Sequence, residues 1–99
     1  MEQYIDRYVE YLKNVKKSSE NTVASYRRDL CKFMKYFQEK GIVRLEDINE
    51  TYITSYILEI EKKGMSMATV SRNIASIKSF YAYLMREKMV DSDPSEGIK

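Results

Sequence analysis

The chain has 99 residues, 43% of them hydrophobic and 32% charged, with a net charge of +2, which suits one domain with a modest core. It has one cysteine, Cys31, and no histidine. An intramolecular disulfide is therefore excluded, and the commonest general base and metal ligand are missing, so neither a structural zinc site nor a cofactor is expected. No apolar run approaches the ~20 residues needed to span a bilayer and no leader pattern is visible, so a reducing cytoplasm is the expected compartment.

The first helix is expected over roughly residues 2–16, with Tyr4, Ile5, Tyr8, Val9 and Leu12 forming an apolar stripe at helical spacing. Ser18 and Ser19 interrupt it and offer N-cap oxygens to a second helix over about 20–40. The inward face of that helix should be Val23, Tyr26, Leu30, Phe33, Met34 and Phe37. Gly41 follows as a left-handed C-cap, with Ile42 folding back onto the last turn. Val43, Leu45 and Ile48 belong to a short connector. Asp47 or Asn49 can then cap a third helix running to about residue 63, and Glu50 would complete a capping box with Asp47. Tyr52, Ile53, Tyr56, Ile57 and Ile60 are its stripe, and Gly64 ends it. Ser66 caps a fourth helix over about 67–88, with Val70, Ile74, Ile77, Tyr81 and Leu84 inward. Residues 1–90 form the domain, and the polar, turn-like stretch 91–99 reads as the start of a linker. No strand pattern appears, and four helices joined by short connections predict a compact all-α bundle.

Charge is segregated along the chain. Residues 62–86 contain Lys62, Lys63, Arg72, Lys78 and Arg86 and no carboxylate. Residues 21–38 carry Arg27, Arg28, Lys32 and Lys35 against Asp29 alone, whereas 39–61 is acidic. A helix without carboxylates suits a polyanion, because a carboxylate beside a phosphate repels it. At about 100° per residue, the side of the fourth helix opposite its core holds Ala68, Arg72, Ala75, Ser79, Ala82, Tyr83 and Arg86, flanked by Thr69, Ser76 and Lys78. Small residues let a backbone approach a surface, and arginine can donate two hydrogen bonds to guanine in the major groove. Docking of a partner helix and an inert solvated surface fit the same spacing. The second helix shows Asn21, Ser25, Arg28, Lys32 and Lys35 opposite its core, with Thr22 and Arg27 on the flanks and a helix N-terminus suited to a phosphate.

Other chemistry is thinly represented. Most tyrosines fall on the apolar stripes and read as core or core-rim residues. A nucleophilic tyrosine needs neighbours that take its proton, and with no histidine that arrangement is hard to build. Cys31 lies at the edge of the second helix's stripe and reads as a small hydrophobe.

The stretch Ser19-Glu-Asn-Thr-Val-Ala-Ser-Tyr-Arg-Arg-Asp-Leu30 resembles the start of the core-binding domain of tyrosine recombinases of the phage-integrase and Xer group. The run from Ser66 to Leu84 is similar to that domain's final helix, and Arg86-Glu-Lys with Asp93-Pro94 to its exit. The resemblance implies a SAM-like orthogonal bundle of four main helices in two crossed hairpins, a DNA-clamping jaw whose second and fourth helices face the major groove. By position it implies DNA contacts from Asn21, Thr22, Arg28, Thr69, Arg72, Ser76 and Ser79. The charged and small faces read above add Ser25, Lys32, Lys35, Ala68, Tyr83 and Arg86. The partners expected are double-stranded DNA and, in a full-length assembly, other recombinase protomers; the isolated domain is expected to be a monomer. The family's arginines, histidines, lysine and tyrosine nucleophile lie on a separate catalytic domain to which nothing in this sequence corresponds, so the expectation is a domain that binds DNA and cuts nothing. A helical protein-interaction module and a stand-alone accessory DNA-binding protein are the alternatives.

Overall fold

In the computed structural model, which describes residues 1–99, four helices account for most of the chain: α1 (Glu2–Asn14), α2 (Glu20–Glu39), α3 (Glu50–Lys62) and α4 (Met67–Arg86). Their starts follow from local chemistry. Ser19 Oγ accepts the Thr22 amide at 3.2 Å, and Ser66 Oγ accepts the Thr69 amide at 3.1 Å. Each satisfies one of the amides that a helix start leaves without an intrahelical partner. Asn49, not Asp47, caps α3, accepting the Tyr52 amide at 2.9 Å. Asp47 is taken up in a 3-10 turn, Leu45–Asp47, that buries Leu45.

The helix ends share a second device. The chain turns left-handed at Gly41 (φ 82°) and Gly64 (φ 81°), and the Ile42 and Met65 amides bond back to the Phe37 and Ile60 carbonyls. Lys17 (φ 53°) and Lys88 (φ 59°) adopt the same conformation after α1 and α4 without a glycine's freedom.

The helices pack around one core. Phe33 meets Phe37 and Tyr56 edge-on, with ring centroids 5.0 and 5.3 Å apart, which joins α2 to α3. Tyr8 meets Phe80 edge-on at 5.5 Å and joins α1 to α4. Burying side chains of this size contributes about 2–3 kcal/mol each before the entropy of ordering is set against it. The stripes anticipated for α1 and α2 are buried except for Tyr4 and Tyr26, which sit half-exposed at the rim. In α3, Ile53, Tyr56 and Ile60 are buried, while Tyr52 is exposed.

α4 departs most from expectation. It packs against α1, α2 and α3, so more than a narrow stripe is enclosed. Asn73, Ser76, Phe80 and Tyr83 are buried along with Ile77, Tyr81 and Leu84, whereas Val70 and Ile74 are only half-buried. Cys31 also departs: it lies exposed on the outer face of α2, not at the core edge. Residues 91–98 form turns that fold back on the bundle. Asp93 Oδ1 accepts from both the amide (2.9 Å) and the hydroxyl (2.6 Å) of the fully buried Ser95, and Lys78 Nζ donates to the Ile98 carbonyl. No helix is long and apolar enough to cross a membrane.

Candidate nucleic-acid interface

The polar side of α2 is the simplest part of the surface. Arg28, Lys32 and Lys35 recur at helical spacing, all three are exposed, and none belongs to an ion pair. Asn21 is exposed beside them and Ser25 is half-exposed. Lys32 and Lys35 continue across a cleft to Lys63, at the end of α3, with Glu39 and Glu59 also on its walls. The other arginine of this helix points away: Arg27 reaches α1 and pairs with Asp6 at 2.9 Å.

α2 packs directly on α4, and a bidentate ion pair fastens the seam. Arg72 Nε and Nη2 donate to the two oxygens of Asp29 at 2.8 and 2.9 Å. Asp29 is buried, its side chain 4% exposed, while the Arg72 side chain keeps 36% exposure. The hydrogen bond to Asp29 is the main cause holding the Arg72 guanidinium more firmly protonated than usual.

The solvent-facing strip of α4 runs through Met67, Ala68, Ser71, Ala75 and Ala82. It carries no carboxylate, but it is rotated from the expected face by roughly half the arc between neighbouring side chains. That rotation corrects two site residues. Ser76 is fully buried and its hydroxyl donates to the Asn73 carbonyl at 2.9 Å. Tyr83 is buried in an aromatic cluster, 5.0 Å from the Tyr11 ring and 5.6 Å from Tyr8, and its phenol is pushed upward mainly by desolvation. Neither side chain stands on the solvent-facing strip of α4. The flank of α4 that carries them faces α1 and α2, which is also why Arg72 is engaged with Asp29 instead of standing free.

The remaining expected residues are dispersed. Ser79 shares a 2.6 Å hydrogen bond with the Tyr8 hydroxyl and so faces α1. Arg86 lies over the Tyr11 ring at 4.4 Å, at the far end of α4 from Arg72. Thr22 and Thr69 are half-exposed; each accepts a 3.0 Å hydrogen bond from its capping serine, which leaves the threonine hydroxyl proton free to donate outward. Asn21, Ser25, Arg28, Lys32 and Lys35 thus lie on the open side of α2, and Ala68 and Arg72 on the first half of α4, which packs against it, whereas Arg86 lies at the far end of α4.

Asp29 was missing from the residues singled out by spacing, where it counted only as one carboxylate against four cations. The signal was present: Asp29 shares a helix flank with Thr22, Phe33 and Tyr36, at intervals of four and seven residues, which marks it as turned inward. Lys63 was visible as charge but lies outside both helices considered.

A model of the family described as "Phage integrase, N-terminal SAM-like domain" matches residues 5–88. The chain belongs to this family, the N-terminal core-binding domain of tyrosine recombinases, and its all-helical four-helix fold is the SAM-like fold of that domain. It is 39% identical over 98% of its length to a putative tyrosine recombinase of Caldanaerobacter subterraneus subsp. tengcongensis, covering 33% of that protein. It is 34% identical over its whole length to tyrosine recombinase XerD of Oceanobacillus iheyensis, covering 34% of it, and 32% identical over 89% of its length to tyrosine recombinase XerC of Listeria innocua, covering 29%. The chain therefore spans about a third of the length of the curated relatives it matches.

Proposed function

We propose that this chain is the DNA-gripping domain of a site-specific tyrosine recombinase, holding a recombination half-site through the major groove with the exposed faces of α2 and α4. The observation that carries the reading is the unpaired row Arg28, Lys32 and Lys35, set beside a strip of α4 without a single carboxylate. Cations free of internal partners can neutralise phosphates without first breaking an ion pair, and a small-residue helix face lets the backbone sit deep in the groove. Double-stranded DNA and further recombinase protomers are the partners this reading assigns, and the strand exchange of the full-length protein would proceed through a phosphotyrosyl intermediate formed elsewhere in it.

In this reading the chain holds DNA and leaves cleavage to the rest of the recombinase. Burial pushes the Tyr8 and Tyr56 phenols up to about 12, the opposite of what an activated nucleophile requires.

The test is an NMR titration of the labelled chain with a short duplex of random sequence. Shifts concentrated on residues 21–35 and 67–75, and weakening with added salt, are the expected result. Shifts confined to α3, or persisting unchanged at high salt, would replace this reading with that of a helical protein-interaction module.

A further inference from the structure

We propose that Asp29 is a positioning residue for DNA recognition: it grips one edge of the Arg72 guanidinium so that the opposite edge is presented, already oriented, at the seam between α2 and α4. The inference rests on the DNA-binding reading above and adds to it a residue that does not itself touch DNA.

A guanidinium carries five N–H donors in a rigid plane. Two of them, on Nε and Nη2, are given to Asp29. Three remain, one on Nη2 and two on Nη1, and they lie on the edge away from the carboxylate. The carboxylate is almost wholly enclosed, whereas a third of the arginine side chain is open. With the carboxylate enclosed, what the pair has left to offer a partner is a fork of donors, the shape that takes a phosphate or a guanine edge bidentately. A free surface arginine would surrender rotamer entropy on forming such a contact, and here that freedom is already lost in the folded chain.

The surroundings point the same way. One turn to either side of Asp29 on α2 are Ser25 and Lys32; one turn to either side of Arg72 on α4 are Ala68 and Ala75. The two alanines end at Cβ and add no side chain that could cover the guanidinium edge. The pair is also close to neutral, so it contributes little to long-range attraction for a polyanion. What it supplies is direction. A strut between helices needs no charge at all, since well-packed apolar side chains hold a seam at least as well as a buried ion pair.

The test sets orientation against charge. In the wild-type chain, uniformly nitrogen-15-labelled, adding a short random-sequence duplex should shift the Arg72 Nη1 signals together with the Arg28 and Lys32 amides, while the Arg72 Nε–H signal, held by Asp29, stays in place. Arg72 Nη1 signals that do not move while the α2 and α4 amides do would show the pair to be only a strut and overturn the inference. If no amide on α2 or α4 moves, the DNA-binding reading itself fails, a result plainly different from the first. Asp29→Asn provides the second arm. It adds one net positive charge, so simple attraction predicts tighter binding, whereas loss of orientation predicts affinity for the same duplex about tenfold weaker, with Arg72→Lys equally impaired despite its retained charge. Equal or tighter binding by a folded Asp29→Asn chain, judged by circular dichroism, would overturn the proposal. If that variant does not fold, the wild-type titration decides alone.

Discussion

Tyr81 carries a fully enclosed hydroxyl with no hydrogen-bond partner, and its phenol is pushed strongly upward, first by burial and then by the nearby charges of Asp93 and Glu46. Tyr8 is buried as deeply but spends its hydroxyl on Ser79. The two residues should therefore answer the same substitution with opposite signs. Removing an unsatisfied buried hydroxyl relieves a desolvation cost, so Tyr81→Phe should raise stability by about 1 kcal/mol; Tyr8→Phe breaks a made bond and should lower it by about 1 kcal/mol, both read from urea denaturation midpoints. The same burial sets a limit at high pH. The Tyr8 and Tyr56 phenols move from an ordinary value of 10.0 to about 12 in the folded chain. The fold thus favours their protonated forms, and this contribution is whole below pH 10 and is lost as the pH climbs toward 12. Absorbance near the tyrosinate band should show these phenols ionising together with the loss of helical circular dichroism, not before it. At this scale much of the candidate site was legible: Arg28, Lys32 and Lys35 stand outward as their spacing requires. Ser76 and Tyr83 were misplaced because periodicity locates the centre of a buried arc and not its width, and the width of α4's arc depends on how many neighbours surround it.

Among the secondary elements, the helix ends are where sequence and backbone diverge. Gly41 and Gly64 were readable as stops because glycine reaches positive φ without strain. Lys88 makes the same turn after α4, its successor Met89 bonding back to the Leu84 carbonyl at 2.9 Å, yet lysine advertises nothing of it. Lys88→Gly should accordingly stabilise the domain by roughly 0.5–1 kcal/mol, and Gly41→Ala should destabilise it by a similar amount; thermal midpoints moving the other way would mean that contacts, not φ, govern these turns. The starts of α2 and α4 were legible for a mirrored reason, since Ser19-x-x-Thr22 and Ser66-x-x-Thr69 repeat one capping pattern. The buried Ser95 in the polar tail had no periodic signal to reveal it. Between elements, the Asp29–Arg72 pair is the main polar fastening. Arg72→Ala would strand a buried carboxylate, at a cost of about 2–3 kcal/mol once the arginine's partial exposure is allowed for. Chemical denaturation of this variant should show that loss before any DNA is added, so its binding defect has to be compared at equal folded fraction.

For the molecule as a whole, net charge is a poor guide and pairing a better one. The chain carries 17 basic and 15 acidic residues, and on that balance alone it would be a weak partner for DNA. Several cations have their charge matched internally: Arg27 by Asp6, Arg44 by Glu46 and Arg72 by Asp29. Those left unpaired around the α2 face and its cleft are Arg28, Lys32, Lys35 and Lys63. Each phosphate neutralised contributes about −0.9 to the slope of log affinity against log salt, so contacts from this group alone should give a slope of about −3 to −4. The distribution within the slope is the sharper expectation. Removing Arg28 or Lys32 should flatten it by roughly one, whereas removing Arg44, whose guanidinium donates to Glu46 at 2.8 and 3.0 Å on another part of the surface, should leave it unchanged although the net charge falls equally. Fluorescence anisotropy of a labelled duplex across a salt series measures all of these slopes. Equal flattening by Arg44→Ala and Arg28→Ala would mean that the duplex senses total charge and not a face of the bundle, and the assignment of α2 as a groove-facing helix would not survive it.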